Sequence, residues 1–203
     1  MKKIYLVRHG ETLFNKRGKI QGVVDSPLTE EGVRQAKSAK EYYTSKNIIF
    51  DKAYCSTLGR AEETLKTTTD LPYERLEGIK EWNYGKFEGE PIYAGIPDKD
   101  FYKNNINFGD WWANFGGESV EEVQERVIKT LEKIAKDEGE NALVISHGGV
   151  LWAIITKFFP TFESLKENNI ERKTPNLMTI EFEVGKDYKL NFVRTFIPFN
   201  GNV

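Results

Sequence analysis

Residues 3–10 read KIYLVRHG, and residues 141–149 read NALVISHGG. In each, an apolar, β-branched run ends on a histidine that glycine follows at once. His9 and His147 are the only two histidines in the chain. A short apolar run bounded by glycine is the pattern of a buried strand ending in a tight turn. Both imidazoles are therefore expected at the carboxyl ends of strands, the edge at which open parallel α/β sheets bind ligands.

Reading outward from these strands, helices alternate with further strands. LTEEGVRQAKSAKEYYTSK (28–46) reads as a helix with Thr29 as N-cap, Glu30 and Glu31 in its positive first turn, and lysines toward its end. DKAYCS (51–56) is a short strand, STLGRAEETLKTT (56–68) a helix capped by Ser56, and YERLE (73–77) another strand. In GGESVEEVQERVIKTLEKIAKDEG (116–139), Val120, Val123, Val127, Leu131 and Ile134 make one apolar helical stripe that Gly139 stops. GGVLWAIITKFF (148–159) is an apolar helix, and NLMTIEFEV and KLNFVRTFI flank the turn GKD as a β-hairpin. The expected fold is one α/β domain over residues 1–203, a largely parallel sheet covered on both faces.

One segment breaks the rhythm. Between about residues 90 and 117, Tyr93, Phe101, Tyr102, Phe108, Trp111, Trp112 and Phe115 crowd an irregular stretch with little periodicity. A long insertion of this kind serves as a lid over a site or as a satellite core beneath a loop, and the two are compatible.

Composition sets outer bounds. Lys+Arg 29 against Asp+Glu 31 gives a net charge of −2, so nothing global calls for nucleic acid or an anionic membrane. A single cysteine, Cys55, rules out an internal disulfide and fits a reducing compartment. The amino-terminal apolar run is too short for a signal peptide, and no stretch approaches the ~18 apolar residues of a membrane span. These features point to a cytoplasmic protein. Monomer and dimer both stay open, the terminal hairpin offering an edge for pairing.

The chemistry-bearing residues form a set. Arg8 beside His9 at a strand end suggests that an anion is handled there, with Gly10 allowing close approach. Arg60, in the first turns of its helix, would add a guanidinium fork to an end that already favours anions. The plainer alternative is a surface arginine paired with Glu62 or Glu63. Glu81, flanked by Trp82 and Tyr84 in a glycine-punctuated loop after a strand, is placed for burial to raise its proton affinity, as a general acid requires. Two histidines, two arginines and one carboxylate match phosphoryl transfer through a phosphohistidine. Two histidines and a glutamate could instead hold zinc, but arginines beside them would repel a cation and no HExxH spacing occurs.

RHGET with Asn15 following, QGVVDSPLTEEGVRQA, CSTLGRAEET, EWNYGKFEGE, GGES and ISHGG occur in order from residue 3 to about 155. In this the sequence resembles the histidine phosphatase superfamily, phosphoglycerate mutase-like branch. The resemblance implies a three-layer α/β/α fold with a mostly parallel central sheet, a phosphohistidine intermediate, and no metal or other cofactor. It implies His9 as nucleophile, Arg8, Arg60 and His147 as the phosphate pocket, and Glu81 as proton donor and later base for water. Asn15 would contact the phosphoryl group, Gln21 and Gly22 would line the site, and Gly148 would present its backbone N–H to the anion. The partner implied is a small phosphorylated metabolite.

The same resemblance leaves three activities open. Mutases of the family carry a longer, basic insertion and Arg-His or Arg-Tyr after the glutamate. Here Trp82 and Asn83 follow Glu81, and Lys99 and Lys103 are the cations of an aromatic insertion. This favours a phosphomonoesterase, a phosphoric monoester hydrolase of the histidine acid type. A cofactor-dependent phosphoglycerate mutase and a catalytically inactive phosphate-binding module are the alternatives.

Overall fold

The computed structural model describes residues 1–98 and 100–198; Lys99 lies outside the described residues. The strands are β1 (Lys3–Arg8), β2 (Lys52–Ser56), β3 (Tyr73–Leu76), β4 (Asn141–Ser146), β5 (Thr179–Val184) and β6 (Leu190–Phe196). Among the described residues they form one six-stranded sheet in the order β3-β2-β4-β1-β5-β6. β2 runs parallel to both β3 and β4, and β1 runs parallel to β4; β5 is antiparallel to β1 and to β6. The sheet is thus mixed, with β5 as the reversed strand, and otherwise parallel.

Strand alternation explains the three layers. Ile4, Leu6, Tyr54, Ala142 and Val144 face one core, while Tyr5, Val7, Ala53, Cys55, Leu143 and Ile145 face the other. The first core is closed by α5 (Val120–Lys136) and α6 (Gly148–Phe158), the second by α2 (Glu30–Ser45) and α3 (Gly59–Thr68). Residues of β1 and β4 that face neither solvent nor a polar layer are buried on both sides, which is why these strands read as unbroken apolar runs.

The predicted elements recur with small shifts. Thr29 caps α2 by accepting from Gly32 N, and Glu30 and Glu31 occupy its first turn, but Lys46 sits at the C-cap and the last turn carries no cation. All five residues of the α5 stripe are buried, and Ser119 and Glu122 close a reciprocal capping box at its start. One assignment is corrected. Ser56 does not cap a helix: it ends β2, and α3 begins at Gly59 with Leu58 as an N-cap that makes no side-chain hydrogen bond. Two short helices, α1 (Leu13–Lys16) and α7 (Phe162–Glu167), escape the sequence reading, and a third, α4 (Phe101–Asn104), lies in the aromatic insertion. Each is too short to show a periodic stripe.

The insertion is a chain of ring contacts rather than a regular element. Trp112, 3% exposed, packs against Phe108 at 4.7 Å, Tyr84 at 5.0 Å and Phe87 at 5.4 Å. Phe101 stacks on Phe108 at 4.9 Å. The segment contributes to the main core and to a cavity wall. Trp112 belongs to the core, and Ile92, Ile96, Tyr102 and Phe108 line a cavity over the sheet edge.

Candidate active site

Register brings the two histidines together. β1 and β4 are parallel neighbours with Arg8 opposite Ser146, so the next residue of each strand, His9 and His147, leaves the sheet side by side. His9 N donates to Ser146 O at 3.0 Å, and the two rings meet edge to face with centroids 5.3 Å apart. Both are buried, at 2% and 0% exposure. Burial, reinforced by the Arg60 and Arg8 guanidiniums, holds His9 well below the ordinary imidazole range; burial and Arg60 do the same to His147.

The tautomer of His9 follows from its partner. Its Nδ1 lies 2.7 Å from the carbonyl oxygen of Gly10, which can only accept, so Nδ1 carries the hydrogen and Nε2 the lone pair. Gly10 N donates to Thr64 Oγ1 at 3.0 Å, and a Cβ on Gly10 would stand 2.6 Å from Gly32 O at the start of α2. The turn after β1 is thereby locked between α2 and α3. His147 Nε2 lies 2.7 Å from Ser56 Oγ, while its Nδ1 is buried with no hydrogen-bond partner.

Glu81 enters from the loop after β3 and is 6% exposed. Its carboxylate accepts from Trp82 N (2.8 Å), Gly149 N (3.2 Å) and Val150 N (3.2 Å), the last two at the amino end of α6. A Cβ on Gly149 would stand 2.2 Å from Tyr84 Oη and 2.7 Å from Glu81 Oε1, so only glycine lets helix and carboxylate approach this closely. Burial, with Glu81 adjacent, pushes the Tyr84 phenol well above its usual range and keeps it a hydroxyl donor.

A cavity of about 220 Å³ receives Arg8, His9, Asn15, Gln21, Glu81 and Gly148, six of the residues expected in the site. Asn15 Oδ1 is occupied by Thr12 N and Asn176 Nδ2, and Gln21 Nε2 donates to Thr12 Oγ1 at 2.6 Å. Arg60, His147 and Gly22 stand behind this surface rather than on it. Arg60 is 1% exposed and pairs with neither Glu62 nor Glu63. It donates to Gly22 O (2.7 Å), Val24 O (2.9 Å) and Asp25 Oδ1 (3.0 Å), leaving Nε buried and unpartnered. Gly22 therefore presents its carbonyl to Arg60 instead of lining the cavity. Arg8 is similarly tethered, one Nη donating to Thr174 O while Nε is buried without a partner. Of these two unpartnered donors, Arg8 Nε belongs to a residue that lines the cavity and Arg60 Nε to one behind it.

Several supporting residues were not anticipated. Asn176 Nδ2 donates to His9 O at 2.9 Å, and Thr174 lines the cavity, so the segment before β5 closes the site from a third direction. Arg126 of α5 grips Glu118 at 2.7 Å and donates to the carbonyls of Gly78, Lys80 and Glu81, fixing the acid loop. Glu88 bridges that loop to the first one by accepting from Tyr84 N, Val23 N and Val24 N. In sequence these are loop or helix-surface polar residues, and spacing does not separate them from solvated ones.

Known proteins resemble this chain over most of its length. A protein of Hydrogenobacter thermophilus named "Putative phosphoserine phosphatase 2" is 33% identical over 159 residues, 76% of this chain and 77% of its own. A Yersinia pestis protein named "Probable phosphoglycerate mutase GpmB" is 34% identical over 161 residues, 77% of this chain and 74% of its own. The crystal structure of a phosphoglycerate mutase from Bacillus anthracis superposes with a TM-score of 0.79 at 27% identity, covering 95% of this chain and 91% of that one. The profile of the histidine phosphatase superfamily (branch 1) matches residues 4–191, and the chain belongs to that superfamily.

Proposed function

We propose that the protein is a metal-independent phosphomonoesterase that hydrolyses small phosphorylated metabolites through a phosphohistidine at His9. The observation that carries this reading is the state of His9: neutral, with Nδ1–H fixed on Gly10 O and the Nε2 lone pair free. A neutral imidazole attacks phosphorus, and the guanidiniums of Arg8 and Arg60 offset the charge on the transferring oxygens. His147, packed against His9, adds a second imidazole to the pocket. Asn15 and Gln21 contribute polar contacts from the first loop, and Gly148 a backbone N–H.

Among the described residues Glu81 is the carboxyl group lining the cavity, so it protonates the leaving oxygen as the P–O bond breaks. In the second half-reaction the resulting carboxylate takes a proton from water, which attacks the phosphohistidine and restores His9. Turnover of p-nitrophenyl phosphate that EDTA leaves unchanged supports the reading, and loss of turnover on chelation contradicts it.

The relatives named as mutases favour a second reading, cofactor-dependent phosphoglycerate mutase. Isomerisation of 3-phosphoglycerate that depends on a bisphosphate primer, with hydrolysis a minor side reaction, selects the mutase instead. Binding of phosphate without turnover of any ester selects the inactive module.

A further inference from the structure

Next to the phosphate cavity lies a larger one of about 580 Å³, and Tyr84, Ile92, Tyr102, Phe108, Gly149 and Thr174 line both. The second cavity is closed by Phe101 and Trp152, which the first does not touch. Aromatic rings form much of its wall. Phe101 stacks on Phe108 at 4.9 Å, and the Trp152 indole N–H donates to Ile106 O at 3.0 Å. We propose that this chamber holds the leaving group of the phosphate ester and selects an uncharged, ring-sized alcohol. The inference rests on the phosphomonoesterase reading above.

The argument turns on which charges are free. Arg172 lines the chamber, but one Nη donates to Tyr102 O, the other to Asn105 O at 2.9 Å, and the guanidinium lies over the Phe162 ring at 4.7 Å. Two of its five N–H groups hold the insertion in place, and the residue is exposed, so its charge is solvated rather than buried in the chamber. The Lys173 side chain is 77% exposed and 3.6 Å from Glu171, a solvated pair at the rim. A carboxylate in the chamber would lose its hydration without gaining a buried cation. An ammonium fares no better. Among the described residues lining either cavity Glu81 is the one carboxylate, and it lines the phosphate cavity rather than the chamber. A zwitterionic or acidic leaving group is therefore poorly matched, whereas an aromatic face finds aromatic walls. Lys19 is the rival. It lines the phosphate cavity alone, has no carboxylate partner among the described residues, and would be the clamp for an acidic ester.

Calorimetric titration of the full chain with three phosphonates separates these outcomes without depending on turnover. 2-Phenylethylphosphonate is expected to bind at least ~10-fold more tightly than ethylphosphonate, as burial of a ring implies. Phe101→Ala and Trp152→Ala should each shrink that ratio at least ~3-fold. If Trp152→Ala does not fold, Phe101→Ala on the insertion decides. Equal affinity for the two phosphonates overturns the proposal, as does an undiminished ratio in the folded variants. Tightest binding of 2-carboxyethylphosphonate, lost in Lys19→Ala, also overturns it and assigns Lys19 to an acidic substrate. Kinetics on 2-phenylethyl phosphate and ethyl phosphate, whose alkoxides are similar, tests the phosphatase reading separately. Selective phosphonate binding with neither ester hydrolysed refutes the phosphatase and supports the chamber.

Discussion

The nucleophile proposed at His9 needs a lone pair and a neutral ring: Nδ1 is bonded to Gly10 O, which leaves the lone pair on Nε2, and burial with the Arg60 and Arg8 charges disfavours the imidazolium. The ordinary imidazole value is 6.5, and the folded values of both histidines lie well below it. The sign of the pH effect follows. Near and below 6.5 the unfolded chain binds protons that the folded chain does not, so the histidines' contribution to stability falls as pH drops through 6.5 toward the folded values and levels off at pH well above 6.5. With only two histidines, imidazole proton resonances report this directly. Both should stay neutral through pH 6.5, and a ring that titrates there is not buried as described. Glu81→Gln should retain phosphorylation by p-nitrophenyl phosphate, because a phenolate departs unprotonated, and lose it with an alkyl phosphate. Equal losses on the two esters count against Glu81 as the acid. Arg60→Lys keeps the charge but loses the fork. Its three donations to Gly22, Val24 and Asp25 make it a brace as well as a cation, so kcat/KM should fall at least ~10-fold, ~1.4 kcal/mol of transition-state stabilisation. Unchanged kinetics would remove Arg60 from the phosphate pocket.

At the scale of elements, adjacent parallel strands deliver the histidines and a helix start delivers the amides that hold Glu81. The former was legible, because apolar runs ending in His-Gly at 3–10 and 141–149 carry strand, turn and chemistry in one pattern. The latter was not. Which donors meet Glu81 depends on where α6 begins relative to a loop some seventy residues earlier, and no local signal encodes that distance. Ser56 illustrates the same limit. A serine ahead of a helix reads as a cap, yet the strand runs through it and turns its hydroxyl to His147. Arg126, Glu88 and Asn176 were invisible for a related reason: their bonds go mostly to backbone groups of distant loops, and polar residues carry no periodicity to mark them. Gly149→Ala tests the helix–acid contact. A methyl group 2.2 Å from Tyr84 Oη must displace the phenol or the helix, so stability should drop by about 1–3 kcal/mol and kcat/KM by at least ~10-fold. Denaturant unfolding and kinetics on an alkyl phosphate measure the two. Wild-type values in both mean that the contact relaxes freely.

The whole molecule gathers one site from the ends of β1 and β4, the loop after β3, the start of α6 and the segment before β5, all at one edge of the sheet. The mixed sheet was only partly foreseen. The parallel strands follow from alternating helices and strands, while the reversal at β5 depends on the terminal hairpin docking beside β1. Among the described residues no helix is long and apolar enough to cross a membrane. The central claim, a phosphoryl group carried on His9, is tested most directly by trapping it. The enzyme is mixed with p-nitrophenyl phosphate, quenched in alkaline denaturant, digested and mapped by mass spectrometry. The account predicts one phosphoryl group on the peptide containing His9, stable in base, released in acid, and absent from His9→Ala, which should also be inactive. A His9→Ala protein that still turns over substrate, or a label on any other residue, contradicts it.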